Sequence, residues 1–143
     1  YDCVSYPTLE ADDCVGLLAD KYKGHEVHIS GDKDFKTIPG VFFDFLHDGW
    51  FEISEEQAYK NFLAQVMIGD AAGNYKGCPG IGPKTADKVL EKYGVGWKTV
   101  VDQFKKVGLS EGEALQQARV AHILNKEEEY DVCKYKVTLW NPN

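Results

Sequence analysis

The stretch Gly77-Cys78-Pro79-Gly80-Ile81-Gly82-Pro83-Lys84-Thr85-Ala86 constrains the fold more than any other part of the chain. Two glycines bracket one apolar residue, a proline follows, and then a lysine, a threonine and a small residue open what reads as a helix. Glycines at such a turn let the backbone approach a ligand closely, and the first turn of the following helix presents N–H groups with no partner inside the helix. Together they suit a phosphate. The G-x-x-x-x-G-K-[ST] nucleotide loop is a different object: there the lysine follows the glycine directly, whereas Pro83 separates Gly82 from Lys84. Lys84 and Lys88, four apart, share one side of the helix. The plain alternative is a tight turn between two packed helices.

The rest of the chain is organised around that turn. Ala11, Cys14, Val15, Leu18 and Tyr22 repeat at helical spacing, after Pro7 and Thr8 and before Gly24. Residues 26–30 read as a strand, followed by the turn-rich Gly31-Asp32-Lys33-Asp34. Residues 41–46 and 50–53 read as two strands around His47-Asp48-Gly49, a hairpin. Ser54 with Gln57 forms a capping box, and the helix it opens puts Tyr59, Phe62, Leu63 and Val66 on one face and runs to about Ile68. The glycine-rich stretch 69–82 is loop. Helices are expected over 84–93, stopped by Gly94, over 97–107, and over 111–129. The reading is an α/β chain forming a single compact unit, with an acidic α/β part over 1–53 and a helical part over 54–143.

At 143 residues and 43% apolar content the chain can bury a core of about one domain. No apolar run approaches the roughly 18 residues of a membrane span. Cys3, Cys14, Cys78 and Cys133 are scattered, without a C-x-x-C pair, which argues against a zinc ribbon and a disulfide scaffold and for reduced thiols in a cytoplasmic protein. The net charge of −7 speaks against a nucleic-acid binder until its distribution is seen. Residues 75–108 carry seven lysines against three acids, while residues 1–74 carry fourteen acids against five lysines. Such a division suits a polyanion held by one part and cations gathered by another. A solvated lysine-rich surface is the bland equivalent.

Three groups of acids stand out. Glu10, Asp12 and Asp13 lie in the first turn of the first helix, where the dipole favours them whatever else they do. Asp32 and Asp34 follow the end of a strand at alternating positions, where ligands bind in open α/β sheets, or they form a polar turn. Asp70 ends a helix, against the preference of the dipole there. If the fold gathers them, their mutual repulsion must be relieved by protons or cations. Oxygen-only donors select hard ions such as Mg²⁺ or Mn²⁺. His25, His28 and His122 lack partners at zinc-site spacing and read as structural or solvated, and Trp97, Trp140, Phe42, Phe43 and Phe45 read as core.

These residues together resemble the 5′-nuclease family: flap endonucleases, the 5′-nuclease domains of bacterial DNA polymerases and, most of all, phage 5′→3′ exonucleases. Glu10-Ala11-Asp12-Asp13 is similar to the family's acidic helix motif, and Ser30-Gly31-Asp32-Lys33-Asp34-Phe35 to its strand-end acidic pair. Gly69-Asp70, Asn74, Gly77 and Gly80-Ile81-Gly82-Pro83-Lys84-Thr85-Ala86 resemble its third acidic motif running into a helix-hairpin-helix. The later Gln117-Ala118-Arg119 helix and the Leu139-Trp140-Asn141-Pro142 tail also look phage-like.

The resemblance implies the later part of a nuclease α/β core with a helical, DNA-binding helix-hairpin-helix region. It implies two Mg²⁺ or Mn²⁺ ions held by Glu10, Asp12, Asp13, Asp32, Asp34 and Asp70, with Asp32, Asp34 and Lys33 at the chemistry. It implies a hairpin of Gly80, Ile81, Gly82, Lys84, Thr85 and Lys88 that grips duplex DNA backbone, with K⁺ on its carbonyls. The substrate would be a DNA duplex with a 5′ end or flap in a bacterial or phage-infected cell. The pattern departs at Gly73, where the family has an aspartate. The family's N-terminal portion, which supplies a first strand, another aspartate and a basic arch, has no counterpart ahead of Tyr1. The expectation is therefore a fragment of a longer nuclease that lacks its N-terminal segment, or a site completed by another chain, with replication proteins as other partners. The alternative is a non-catalytic duplex-binding module, or an inactive fragment whose acids only cap and solvate helices.

Overall fold

The structure is a computed structural model and describes residues 2–142. The chain forms two compact units. The first runs to Ala58 and takes back Ile123–Leu139; the second is Tyr59–His122 and resumes at Trp140.

In the first unit, helix α1 (Ala11–Lys21) leads through Gly24, at φ +83°, to strand β1 (Val27–Ser30). A 3-10 turn over Lys33–Thr37 follows, then β2 (Gly40–Asp44) and β3 (Gly49–Ile53). β1 pairs parallel with β2, and β2 antiparallel with β3, with Phe42 opposite both His28 and Phe51. The expected hairpin is present. Its turn is built by Asp44, a buried carboxylate that accepts the N–H groups of Leu46 (3.1 Å) and His47 (3.2 Å) and meets His47 Nδ1 at 2.8 Å.

One face of this sheet carries the core: Val15 and Ala19 of α1 pack with Phe35, Ile38, Phe42, Ile53, Ala58 and Ile123. Phe42 is fully buried, a contribution of about 1.5–3 kcal/mol for one such side chain. The other face shows Val27, Ile29 and Trp50 to solvent. Phe45, expected in the core, is exposed: it follows β2 where the chain is already turning, so it does not share the inward face of Phe42.

The expected helix over 111–129 is shorter, ending at Ala121. His122 leaves helical geometry (ψ 118°), and residues 123–139 belong to the first unit. There the Leu124 N–H is taken by Asp13 Oδ1 at 3.0 Å, and the Asn125 and Lys126 N–H groups by Glu129 Oε2 at 2.8 and 3.0 Å. Leu124 packs with Leu17 and Tyr130, and two-residue strands β4 (Tyr130–Asp131) and β5 (Lys136–Val137) close the segment.

Helix α2 (Glu55–Ile68) starts in the first unit and continues into the second, which also holds α3 (Pro83–Tyr93), α4 (Trp97–Lys106) and α5 (Glu111–Ala121). Its core gathers Phe62, Leu63, Val66, Met67, Leu90, Val100 and Phe104 with the small residues Ala86, Ala114 and Ala118. α3 buries only Ala86 and Leu90, so most of its surface faces outward. Ser110 and Glu113 cap α5 reciprocally. Trp140 packs edge-on against Phe62 and Trp97, at 5.0 and 5.2 Å between centroids. Its carbonyl accepts from Arg119 Nε at 3.2 Å. Among the described residues no helix is long and apolar enough to cross a membrane.

Candidate active site and nucleic-acid interface

In the first unit the sheet and α1 settle where the acids lie. The C-terminal half of α1 (Gly16, Ala19, Asp20), with Lys23 just beyond it, lines a cavity of about 590 Å³ together with Gly40 at the start of β2 and Ile53 at the end of β3. That half of α1 therefore sits at the end of the sheet where β1 and β2 begin. Its first turn, with Asp12 and Asp13 just after the N-cap Glu10, lies at the opposite end, where β1 runs out into Asp32 and Asp34. Five of the six candidate acids thus share one end of the unit.

Local structure already engages them. Asp12 Oδ1 accepts the N–H of Asp13 at 3.0 Å, and Asp13 holds Leu124. Asp32 Oδ1 caps the 3-10 turn by accepting the N–H of Asp34 at 2.9 Å, and its own N–H goes to Ser30 Oγ at 3.0 Å. The Asp34 carbonyl accepts the Thr37 hydroxyl at 2.8 Å. Lys33 is exposed beside them. The donors are of the hard, oxygen-only type. As placed, however, no three His, Cys, Asp or Glu among the described residues form a group able to hold a metal ion.

Asp70 belongs to the second unit, in the loop after α2. This loop is a narrow backbone ladder: Asp70 and Tyr75 exchange N–H···O bonds at 2.9 and 3.1 Å, and the Cys78 N–H reaches the Met67 carbonyl at 2.7 Å. Gly69 and Gly77 face each other across it at φ +78° and +68°; a Cβ on Gly77 would stand 2.5 Å from the Gly69 nitrogen. Glycine is required at both. Asp70 Oδ2 accepts the Gly73 N–H at 2.6 Å, so the acid placed against the helix dipole shapes its own loop.

The turn beyond it is made differently. Gly80 has φ +82°, a glycine conformation, but Gly82 sits at φ −102°, which any residue adopts. A Cβ on Gly80 or Gly82 would meet no atom of the described residues within 4 Å. Neither backbone strain nor internal packing explains Gly82; open space in front of it does, since only a glycine leaves the main chain bare to an approaching ligand. Gly82 is the N-cap of α3, with no side-chain cap and Pro83 at the first helical position. Lys84, Thr85 and Lys88 are exposed around this end, while Ile81 is half-buried and packs on the core.

Gln117 of α5 was not singled out for a role by sequence and proves central to the loop. Its side-chain Oε1 accepts the Gly77 N–H and its Nε2 donates to the Gly77 carbonyl at 3.4 Å. A glutamine forty residues from its partner leaves no local signal.

No family model matches the chain. It is 29% identical to the exodeoxyribonuclease of Enterobacteria phage T3 over 98% of its own length, and spans 58% of that relative. It is 34% identical to the 5′-3′ exonuclease of Aquifex aeolicus over 62% of this chain and 35% of that one. Among solved structures, a mutant T5 5′-exonuclease superposes with a TM-score of 0.64 at 19% identity, covering 80% of this chain and 56% of that one, a likeness of fold. The order of the acidic motifs, the glycine hairpin and these relatives agree: the chain is similar to 5′-nucleases, phage exonucleases among them, and spans little more than half the length of the phage relative.

Proposed function

We propose that the chain is the duplex-gripping, carboxylate-bearing part of a divalent-metal-dependent 5′-nuclease that hydrolyses DNA from a 5′ end or flap. The observation that carries this reading is the bare turn at Gly80–Gly82, open to solvent at the N-terminus of α3 and edged by Lys84, Thr85 and Lys88. Its N–H groups and lysines suit backbone phosphates, and binding carried by such contacts is sequence-independent and falls steeply with salt. K⁺ on the carbonyls of the same turn belongs to this proposal.

In the proposal Asp12, Asp13, Asp32 and Asp34, with Glu10 at their edge, supply oxygen donors at one end of the first unit; Asp70 is a candidate donor within the second unit. Mg²⁺ or Mn²⁺ is the chemical match for such donors. The carboxylates as placed do not make a complete ligand set, being turned onto Asp13, Leu124, Asp34 and Gly73 main-chain N–H groups. Lys33, exposed between Asp32 and Asp34, is the cation this proposal assigns to a scissile phosphate.

The same incompleteness favours a second reading, a duplex-binding module without chemistry of its own. A 5′-end-labelled duplex incubated with Mg²⁺ or Mn²⁺ separates the two. The nuclease reading expects short 5′ products that disappear when Asp32→Asn and Asp34→Asn are combined. Salt-sensitive binding without products would leave the module.

A further inference from the structure

Tyr93, the last residue of α3, carries two ammonium groups on one ring: Lys92 Nζ and Lys106 Nζ each lie 5.0 Å from its centroid. Hydrogen bonding to Lys92, then the charges of Lys92 and Lys106, hold the Tyr93 hydroxyl below its usual range. Lys106 is also fixed from behind, its Nζ donating to Gln103 Oε1 at 3.3 Å. Two ammonium groups gathered at one exposed ring favour an anion beside it.

The acids nearby are engaged first with other lysines, although the Asp102 carboxylate also feels Lys105 and Lys106. Asp87 and Glu91 of α3 face Lys60 at 3.8 and 3.9 Å, and Asp102 of α4 pairs with Lys98 at 2.6 Å. Lys84, Lys88 and Lys92 repeat every four residues on α3 and form no ion pair among the described residues. This unneutralised stripe spans about 12 Å from the first turn of α3 to its last. One DNA strand presents a phosphate every ~3.4 Å of helix axis while winding around it, so the stripe is long enough to face about two of them.

We infer that Lys92 and Lys106, clasping Tyr93, form a second phosphate-binding station for the DNA gripped at Gly80–Thr85, with α3 lying along the strand between the two. The inference rests on the duplex-binding reading and adds a footprint to it: contact continues past the hairpin to the end of α4.

The test is fluorescence anisotropy with a labelled duplex of about 20 base pairs, titrated between about 50 and 200 mM salt. Each neutralised phosphate contributes about 0.9 to the slope of log K against log salt. Lys92→Ala with Lys106→Ala is therefore expected to lower that slope by about 1.8, so that the fourfold rise in salt costs the double variant about 12-fold less affinity than the parent. Lys98→Ala, whose charge is already paired, leaves the slope unchanged. A double variant with the parent's slope, in a protein whose binding still responds to Gly82→Val, overturns the second station alone. A parent that shows no salt-dependent duplex binding overturns the duplex-binding reading and this inference with it.

Discussion

The side-chain amide of Gln117 pairs with both sides of the Gly77 main chain, standing in for a neighbouring strand where the loop has none. Gly77 is buried, so Gln117→Leu leaves a donor and an acceptor without partners. That is expected to cost about 1–3 kcal/mol for each unsatisfied group. A urea midpoint equal to that of the parent would show that the pairing contributes nothing. Gly77→Ala is expected to be at least as damaging, through positive φ and collision with the Gly69 nitrogen.

The resemblance read from the sequence implies an aspartate where Gly73 stands, and the structure says what introducing one would do. A Cβ there would lie 3.2 Å from Asp70 Oδ2 and 2.8 Å from the Tyr75 ring, so the ring must swing aside. Gly73→Asp is then expected to place two carboxylates together, lowering Tm without metal and raising the Tm gain on adding Mg²⁺. An unchanged response to Mg²⁺ would mean that the new carboxylate takes no part in ion binding.

The carboxylates of the first unit divide by what they hold. Asp13 anchors Leu124, so Asp13→Ala is expected to lower Tm whether or not Mg²⁺ is present, by an amount near 1–3 kcal/mol for a buried N–H left unpaired. Asp32→Asn with Asp34→Asn is expected instead to remove the Mg²⁺-induced rise. A double variant that responds to the ion like the parent would take these two residues out of the metal proposal.

His28 gives the first unit a pH dependence of known sign. It is buried, both ring nitrogens lack a partner among the described residues, and burial pushes its pKa below the usual 6.5 against the opposing pull of Glu26. Above pH 6.5 the ring is neutral in both the folded and the unfolded chain. As pH falls below that value the unfolded chain takes up the proton first, so stability declines until the folded-state pKa is passed. His28→Leu is expected to flatten this decline between about pH 7 and 5 at little cost at neutral pH, since no hydrogen bond is lost. Parallel stability curves for the two proteins would contradict it.

Elements set by local chemistry were legible in the chain. The Asp48-Gly49 hairpin, the start of α3 at Pro83 and its stop at Gly94 lie where their residues put them, whereas α1 buries Cys14, Gly16, Leu17 and Ala19 and leaves Ala11 and Tyr22 of the expected stripe exposed. Ala121 was not legible as a helix end, because the following Ile123 and Leu124 continue an apolar pattern and are diverted by Asp13, more than a hundred residues earlier. The Gln117–Gly77 pairing was hidden for the same reason. Gly77 and Gly82 look alike in the sequence, but one is demanded by a 2.5 Å approach of backbone and the other faces open space. Only coordinates separate a glycine needed by the fold from one available to a ligand.

That separation supplies the most direct test. Gly82→Val introduces no positive φ and no internal clash, so the protein is expected to fold, with Tm lowered only by the poorer N-cap that valine gives α3, a cost of about 1 kcal/mol. Duplex affinity at low salt, read by anisotropy, is expected to fall by at least about tenfold, the loss of about 1.5–3 kcal/mol for a charge-assisted phosphate contact. A folded Gly82→Val protein that binds the duplex as tightly as the parent would contradict the account.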